Sequence, residues 1–344
     1  MLFFKCEFAR ANGSRRNTSY MKNILITGGA GFIGSNLARL QLSLGNYVTV
    51  YDNFQTGHED NIRGLSVNVI KDAISNIDKY DLSKYDSIIH LGMPSTMMLY
   101  RNDSVESVKE CIVGSHKILE ACRINNTKLI FASSSSLYNG LIPPLTEDRE
   151  IFVKDFYTEG RLFVERLAKL YGDLYGVNSI GFRFFAVYGP REEHKLGYAN
   201  MVSQFLWSIW HDESPLIFGD GSQTRDFTYV DDVTRILSSA ADKDFDKPEI
   251  FNIGTSHNFT FNDIVSAINK KLGKNIQPTY KPNPIKNYIP KLLADITKLS
   301  EHFEPPKIQL DEGLDILINY YKTSSAPPKL GSTEDYWISK VKTK

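Results

Sequence analysis

The stretch Asn23-Ile24-Leu25-Ile26-Thr27-Gly28-Gly29-Ala30-Gly31-Phe32-Ile33-Gly34 limits what this chain can fold into more than any other. A short apolar run drops straight into glycines and then into a helix-forming segment. That order lets bare backbone N–H groups at a helix N-terminus approach a pyrophosphate that a Cβ would block. Taken alone, the pattern also fits an ordinary strand-to-helix turn in any α/β protein. The next thirty residues narrow it: after a helix predicted over 35–44 and a turn at Gly45-Asn46, an apolar strand over 47–51 ends at Asp52, with Asn53 beside it. A carboxylate at that distance holds the ribose of an adenosine and repels a 2′-phosphate, so the expected cofactor is NAD rather than NADP.

Downstream, strands and helices alternate. Residues 64–70 alternate towards a third strand ending at Lys71-Asp72, where Asp72 either reaches an adenine edge or caps a turn. Residues 86–92 form an apolar strand of the kind buried on both faces of a parallel sheet. A long amphipathic helix is expected over 104–125, then a strand over 128–132 running into Ser133-Ser134-Ser135-Ser136. The next helix starts near Phe156 and carries Tyr157 and Arg161 four apart, on one face. A strand over 179–185 stops at Gly189-Pro190. Beyond it the rhythm loosens, with helices near 200–210 and from 231, a short strand over 250–253, and a smaller mixed lobe after 255. This alternation predicts an α/β fold with a Rossmann-type doubly wound parallel sheet. The expected division is a nucleotide-binding domain over 21–185 and 227–256, a substrate lobe over 186–226 and 257–325, a disordered extension over 1–20, and a mobile tail over 326–344.

Composition excludes several classes. Forty basic and forty acidic residues cancel, leaving no electrostatic footprint for nucleic acid or an anionic membrane. The three cysteines and seven histidines fall in no disulfide or metal spacing, which predicts a reduced, cytoplasmic setting and no metal. No apolar run reaches the roughly 18 to 20 residues that cross a bilayer.

The ordered motifs resemble the extended short-chain dehydrogenases/reductases that act on nucleotide sugars, the UDP-glucose (UDP-galactose) 4-epimerases most of all. The resemblance covers about 22–314. It rests on the glycine turn, on His90-Leu91-Gly92, on Ser133-Ser134-Ser135-Ser136-Leu137-Tyr138, and on Tyr157 with a basic residue four later. It rests also on Arg183 to Arg191, on Gly219 to Phe227 and on Tyr229-Val230-Asp231-Asp232-Val233. The resemblance implies that Gly28, Gly31, Phe32, Ile33 and Gly34 meet the NAD pyrophosphate, that Asp52 holds the ribose, and that Leu91, Gly92 and Met93 lie along the nicotinamide. It implies Tyr157 as catalytic base, Arg161 as its cation and Ser134 as the hydroxyl that orients the sugar. Asn200, Met201 and Phe218 then lie near the nucleotide of the substrate, and Arg225 on its diphosphate, where a guanidinium fork suits paired phosphate oxygens. A tyrosine phenol ordinarily titrates near 10, so a base acting near neutrality needs a fixed cation nearby. The helices over 104–125 and from 156 resemble those that pair across a two-fold axis, implying a homodimer through a four-helix contact.

Four departures qualify the activity. Arg161 stands where the family has lysine; Cys111 and Ala186 stand where it has asparagine; and the arginine and acid that relatives use near the base are missing from residues 283–288. The dehydratases of the superfamily place Asp-Glu directly after the orienting hydroxyl, and decarboxylases carry a glutamate at the second of these positions. Here those positions are Ser135-Ser136. Redox-neutral 4-epimerisation, which asks for the fewest extra groups, is the leading expectation. The alternatives are another nucleotide-sugar enzyme (dehydratase, decarboxylase or reductase) and a non-catalytic NAD-binding sensor or scaffold.

Overall fold

Seven apolar runs assemble into one fully parallel sheet. A computed structural model of the chain describes residues 21–284 and 288–330; the extension over 1–20 and the segment 331–344 lie outside them. The strands are β1 (Asn23–Thr27), β2 (Tyr47–Tyr51), β3 (Asn68–Ile70), β4 (Ser87–His90), β5 (Lys128–Ser134), β6 (Ser179–Phe184) and β7 (Glu249–Ile253), in the order β3-β2-β1-β4-β5-β6-β7. Every pairing is parallel, with Ile26 opposite Val50 on one side and Ile89 on the other. The order reverses between β1 and β4, which opens a crevice beyond their carboxyl ends where such folds bind ligands.

Helices α1 (Phe32–Ser43) and α5 (Val230–Ala240) cover one face, while α2 (Ser104–Asn125) and α3 (Phe156–Tyr175) cover the other; the labels α4 (Met201–Trp210), α6 (Phe261–Leu272) and α7 (Leu310–Thr323) complete the longer helices. The α2 boundaries follow from its caps. Asp103 accepts from the Glu106 N–H at 3.0 Å, and Asn126 closes the far end in the left-handed conformation. Helix α1 begins three residues earlier than its periodicity suggests, because Gly31 serves as the N-cap. Strand β3 is shorter than the alternation over 64–70, since Gly64 takes φ +76° and turns the chain before Asn68.

Outside the sheet, a second core gathers Phe205, Trp207, Ile264, Leu314 and their neighbours from α4, α6 and α7. Three short pairings support it: 187–188 with 228–229, 224–226 with 258–260, and 216–218 with 279–281. The expected mobile tail is anchored over its first residues. His211 Nε2 donates to the Pro327 carbonyl at 2.8 Å, Lys329 pairs with Glu213 at 3.1 Å, and Leu330 packs on the second core. No helix among the described residues is long and apolar enough to cross a membrane.

Candidate active site

Backbone geometry builds the first end of the crevice. Gly28 sits at φ +68°, and a Cβ there would come within 2.8 Å of the Gly92 Cα. A Cβ on Gly34 would lie 2.1 Å from the Gly28 carbonyl, so the turn closes only without one. Gly31 differs, since its nearest neighbour is the Gly28 carbonyl at 3.1 Å and it lines the cavity, leaving bare main chain for a ligand at the start of α1. Asp52, at the end of β2, accepts from the Ala30 N–H at 2.9 Å and the Phe54 N–H at 2.8 Å. Burial raises its carboxyl above the usual range, and the backbone N–H groups of Phe54, Ala30 and Gly31 oppose that.

Behind the turn runs a closed relay. The Gly92 N–H donates to Thr27 Oγ1 at 3.0 Å, the Thr27 hydroxyl to His90 Nδ1 at 2.7 Å, His90 Nε2 to Ser115 Oγ at 3.0 Å, and the Ser115 hydroxyl to the Cys111 carbonyl at 2.5 Å. Because Ser115 spends its proton on that carbonyl, neutral His90 satisfies the whole chain. Burial, and then the charge of Arg161, push His90 down to about 3.

The reacting groups belong to β5 and α3. Ser134 Oγ accepts from the Ser136 N–H at 3.1 Å, which leaves its own proton for a ligand. Its neighbour Ser133 is tied to Glu165, itself held by the ε nitrogen and one terminal nitrogen of Arg183, so the end of β5 is fixed by a buried ion pair. Asp155 caps α3 by accepting from the Thr158 N–H at 2.8 Å, which sets Tyr157 in the first turn and Arg161 one turn later. The Arg161 guanidinium is buried and lies 5.2 Å above the Tyr157 ring, while its two terminal nitrogens bond Met93 Sδ at 2.7 Å and the Pro94 carbonyl at 2.9 Å. Burial lowers its pKa, and the phenols of Tyr157 and Tyr100 with the Cys111 thiol more than reverse that, so the net direction is up.

One cavity of about 400 Å3 takes in Gly28, Gly31, Phe32, Ile33, Gly34, Asp52, Asn53, Asp72, Leu91, Gly92, Met93, Ser134, Tyr157, Arg161 and Arg225. The structure therefore brings together all of the residues expected at the cofactor and the reacting centre. The Asp72 carboxylate is already engaged by the Ala73 N–H, Asn76 and Tyr80, so it both edges the cavity and ties its own turn. A second cavity of about 380 Å3 adjoins it and includes Asn200, whose side chain caps α4 and donates to the Val187 carbonyl at 3.1 Å. Two expected substrate residues line neither cavity. Met201 packs against the second core, and Phe218 lies in the short strand over 216–218. Cys111 is also away from both: it faces Gly160 in the α2–α3 contact, where a Cβ on the glycine would meet its sulfur at 3.0 Å.

Sequence reading missed Lys195 and Glu192. Lys195 reaches the boundary of both cavities, held by the fully buried Glu192 at 2.8 Å. The available signal was an acid and a lysine three apart after Pro190-Arg191, which is too common to single out. The structure also brings together His58, Asp60 and His194, with ligand-capable atoms within 4.8 Å of one another. The two imidazoles stack at 3.6 Å and 8°, so their nitrogen lone pairs run side by side instead of converging on one ion.

A parallel sheet with its crevice at the β1/β4 reversal, a glycine cradle and an acid after β2 define a dinucleotide-binding α/β protein. The chain belongs to the NAD-dependent epimerase/dehydratase family, whose model matches residues 24–254. It is therefore one of a family of enzymes. Among curated relatives, a putative UDP-glucose 4-epimerase of Methanocaldococcus jannaschii is 31% identical, covering 88% of this chain and 99% of the relative. A UDP-N-acetyl-alpha-D-glucosaminuronate decarboxylase of Bacillus cytotoxicus is 30% identical, covering 88% and 98%. Among solved structures, the UDP-glucose 4-epimerase of Thermotoga maritima with UDP-glucose superposes with a TM-score of 0.81 at 29% identity, covering 88% and 99%. The cradle fits NAD: Gly31 leaves the α1 N-terminus open, and Asp52 presents a carboxylate with room for hydroxyl donors.

Proposed function

We propose that the chain is a nucleotide-sugar epimerase, acting at C4 of a UDP-sugar. The observation that carries this reading is that Ser134, Tyr157 and the glycine cradle line one cavity while Ser135 and Ser136 stand where elimination or decarboxylation would need an acid or a base. Gly28, Gly31, Phe32, Ile33 and Gly34 hold the pyrophosphate, and Asp52 the ribose, of the cofactor. NAD, when bound, supplies the hydride acceptor and gives the hydride back, so no external reductant enters the balance. Tyr157 takes the proton of the sugar hydroxyl, and Ser134 donates to the same oxygen. Arg161 keeps a positive charge beside Tyr157, both over its ring and at its hydroxyl.

Arg161 also supports a second reading. Two of its five N–H groups go to Met93 and Pro94, which anchors a planar fork where the family has a lysine ammonium, as a non-catalytic NAD-binding sensor would allow. Incubating the purified protein with UDP-glucose, UDP-galactose and their N-acetyl and uronate forms, and following products by NMR, separates the two. Interconversion at C4 supports the epimerase; carbon dioxide release from a uronate points to decarboxylation; no turnover and no transient reduction of bound NAD leaves the sensor.

The division into a cofactor domain (21–185 and 227–256) and a substrate lobe (186–226 and 257–325) is part of the same reading. So are a cytoplasmic location and a homodimer through α2 and α3, on which Val113, Leu170 and Leu174 are exposed. Light scattering tests the dimer: a mass of one chain removes it.

A further inference from the structure

The two cavities share six wall residues. They are Ser95, Ser136, Tyr157, Val187, Lys195 and Arg225, and together they mark a ring where the two cavities meet. The reacting hydroxyl of a sugar must reach Tyr157, so whatever joins the sugar to its nucleoside passes this ring. In a nucleotide sugar that linker is a diphosphate, which carries one negative charge on each phosphate.

Arg225 supplies one cation there. Its neighbour Asp226 is fully buried and pinned by the N–H groups of Thr255, Ser256 and Ala294 and by the Thr255 hydroxyl, which fixes the strand and leaves Arg225 on the cavity wall. Among the described residues Arg225 has no carboxylate within ion-pair distance; one terminal nitrogen donates to the Thr224 carbonyl, and the guanidinium lies 5.3 Å from the Tyr288 ring. Burial lowers its pKa, as expected of a cation awaiting an anion.

We propose that Lys195 is the second cation of this diphosphate site, an assignment that rests on the nucleotide-sugar reading above. Glu192 holds it in place. That carboxylate is fully buried and accepts from Lys195 Nζ at 2.8 Å, from the Asn200 N–H at 2.7 Å and from Ser203 Oγ at 2.6 Å. Its charge is thus spread over three donors, and an ammonium group has three protons, so two remain for phosphate oxygens. The lysine ammonium also lies 5.2 Å from the Phe32 ring, at the first residue of α1. The cofactor pyrophosphate already has the N–H groups of that helix, whereas Ala186, on the same wall, offers the substrate no side-chain donor. Lys195 supplies one.

The test uses the purified holoprotein and titration calorimetry with UDP and with uridine. Lys195→Met keeps the length of the side chain and removes the charge. A charge-assisted hydrogen bond is strong enough that its loss raises Kd for UDP by about 10- to 100-fold. Uridine, which has no phosphate, is expected to bind both proteins equally; Lys195→Arg is expected to bind UDP within a few-fold of wild type, and the NAD content of both variants to stay at the wild-type level. Unchanged UDP affinity in Lys195→Met overturns the assignment. Equal losses for UDP and uridine overturn it too, in favour of a structural role, and so does loss of NAD, in favour of the cofactor pyrophosphate. If the wild-type protein binds none of UDP, GDP, CDP, ADP and dTDP, the nucleotide-sugar reading fails and takes the assignment with it; wild-type UDP binding that survives Lys195→Met removes the assignment alone.

Discussion

At one end of the cleft the groups facing the cavity are main chain, the bare turn of Gly28 and Gly31 and the start of α1. At the other they are side chains, Lys195 and Arg225, one held by the buried carboxylate of Glu192 and the other on a strand pinned by the buried carboxylate of Asp226. The first end is specified by what a dozen consecutive residues lack, namely Cβ atoms. The second is specified by partners far apart in sequence: Asp226 is bonded from Thr255 and Ala294, and Glu192 from Asn200 and Ser203. A built-in turn tolerates no added atom, whereas a side-chain site tolerates exchange of one cation for another of similar reach. The two ends should therefore respond differently to substitution.

The largest effect is expected at the main-chain end. Gly34→Ala would place a methyl 2.1 Å from the Gly28 carbonyl. Overpacking of this kind costs about 3 kcal/mol, and the turn that must move is the cradle itself. Calorimetric scanning and the absorbance of co-purifying nucleotide are expected to report lower stability and lost NAD. Full NAD content in this variant would break the contrast.

Next comes the reacting centre. Tyr157→Phe keeps the ring that Arg161 covers and removes only the hydroxyl. General acid–base groups contribute about 100- to 10,000-fold, so turnover is expected to fall by that factor while UDP still binds. Turnover at the wild-type rate would remove Tyr157 from its role.

Smaller, and confined to acid, is the effect of His90. Its folded-state pKa of about 3 lies below the ordinary value near 6.5, so the unfolded chain takes up a proton that the folded chain refuses. Stability from this group is complete above about 6.5 and declines as pH falls towards the folded value, by up to about 1.4 kcal/mol per pH unit. Denaturant titrations of wild type and His90→Gln are expected to diverge in slope below pH 6.5, the variant being flatter. Parallel slopes would show that His90 is protonated in the fold.

The smallest effect is expected from Arg161→Lys. A lysine keeps the charge beside Tyr157 and gives up the bonds to Met93 and Pro94. Turnover is expected to hold within about three-fold or to rise, because the ammonium is a compact donor that carries the same charge. Loss of all turnover would show that the planar fork is required at this position.

How much was legible obeys the same division. The sheet, the α2 boundaries and the approach of Gly28 and Asp52 to one cavity could be read because each arises from local pattern, in apolar runs, caps and an acid one strand beyond a glycine turn; Ser134, Tyr157 and Arg161 were placed on it by likeness to a family. Lys195 could not be read, because its meaning depends on the burial of Glu192 and on a cavity wall assembled from separate segments. Met201 and Phe218 were expected near the substrate by likeness alone; Met201 packs on the second core, and Phe218 lies half-buried in the short strand over 216–218. Cys111, which stands where the family has asparagine, packs against a glycine between two helices.

Strand β7 joins the sheet only after the chain has left it for the short pairings at 187–188 and 224–229 and for α5. On a ribosome the first six strands are made in one stretch, and the outer row of N–H and C=O groups on β6 then stands unpaired until Glu249–Ile253 arrives. An unprotected edge is a template for any strand that reaches it first. The nascent chain is thus most open to mispairing during the interval in which the first half of the second core is being synthesised.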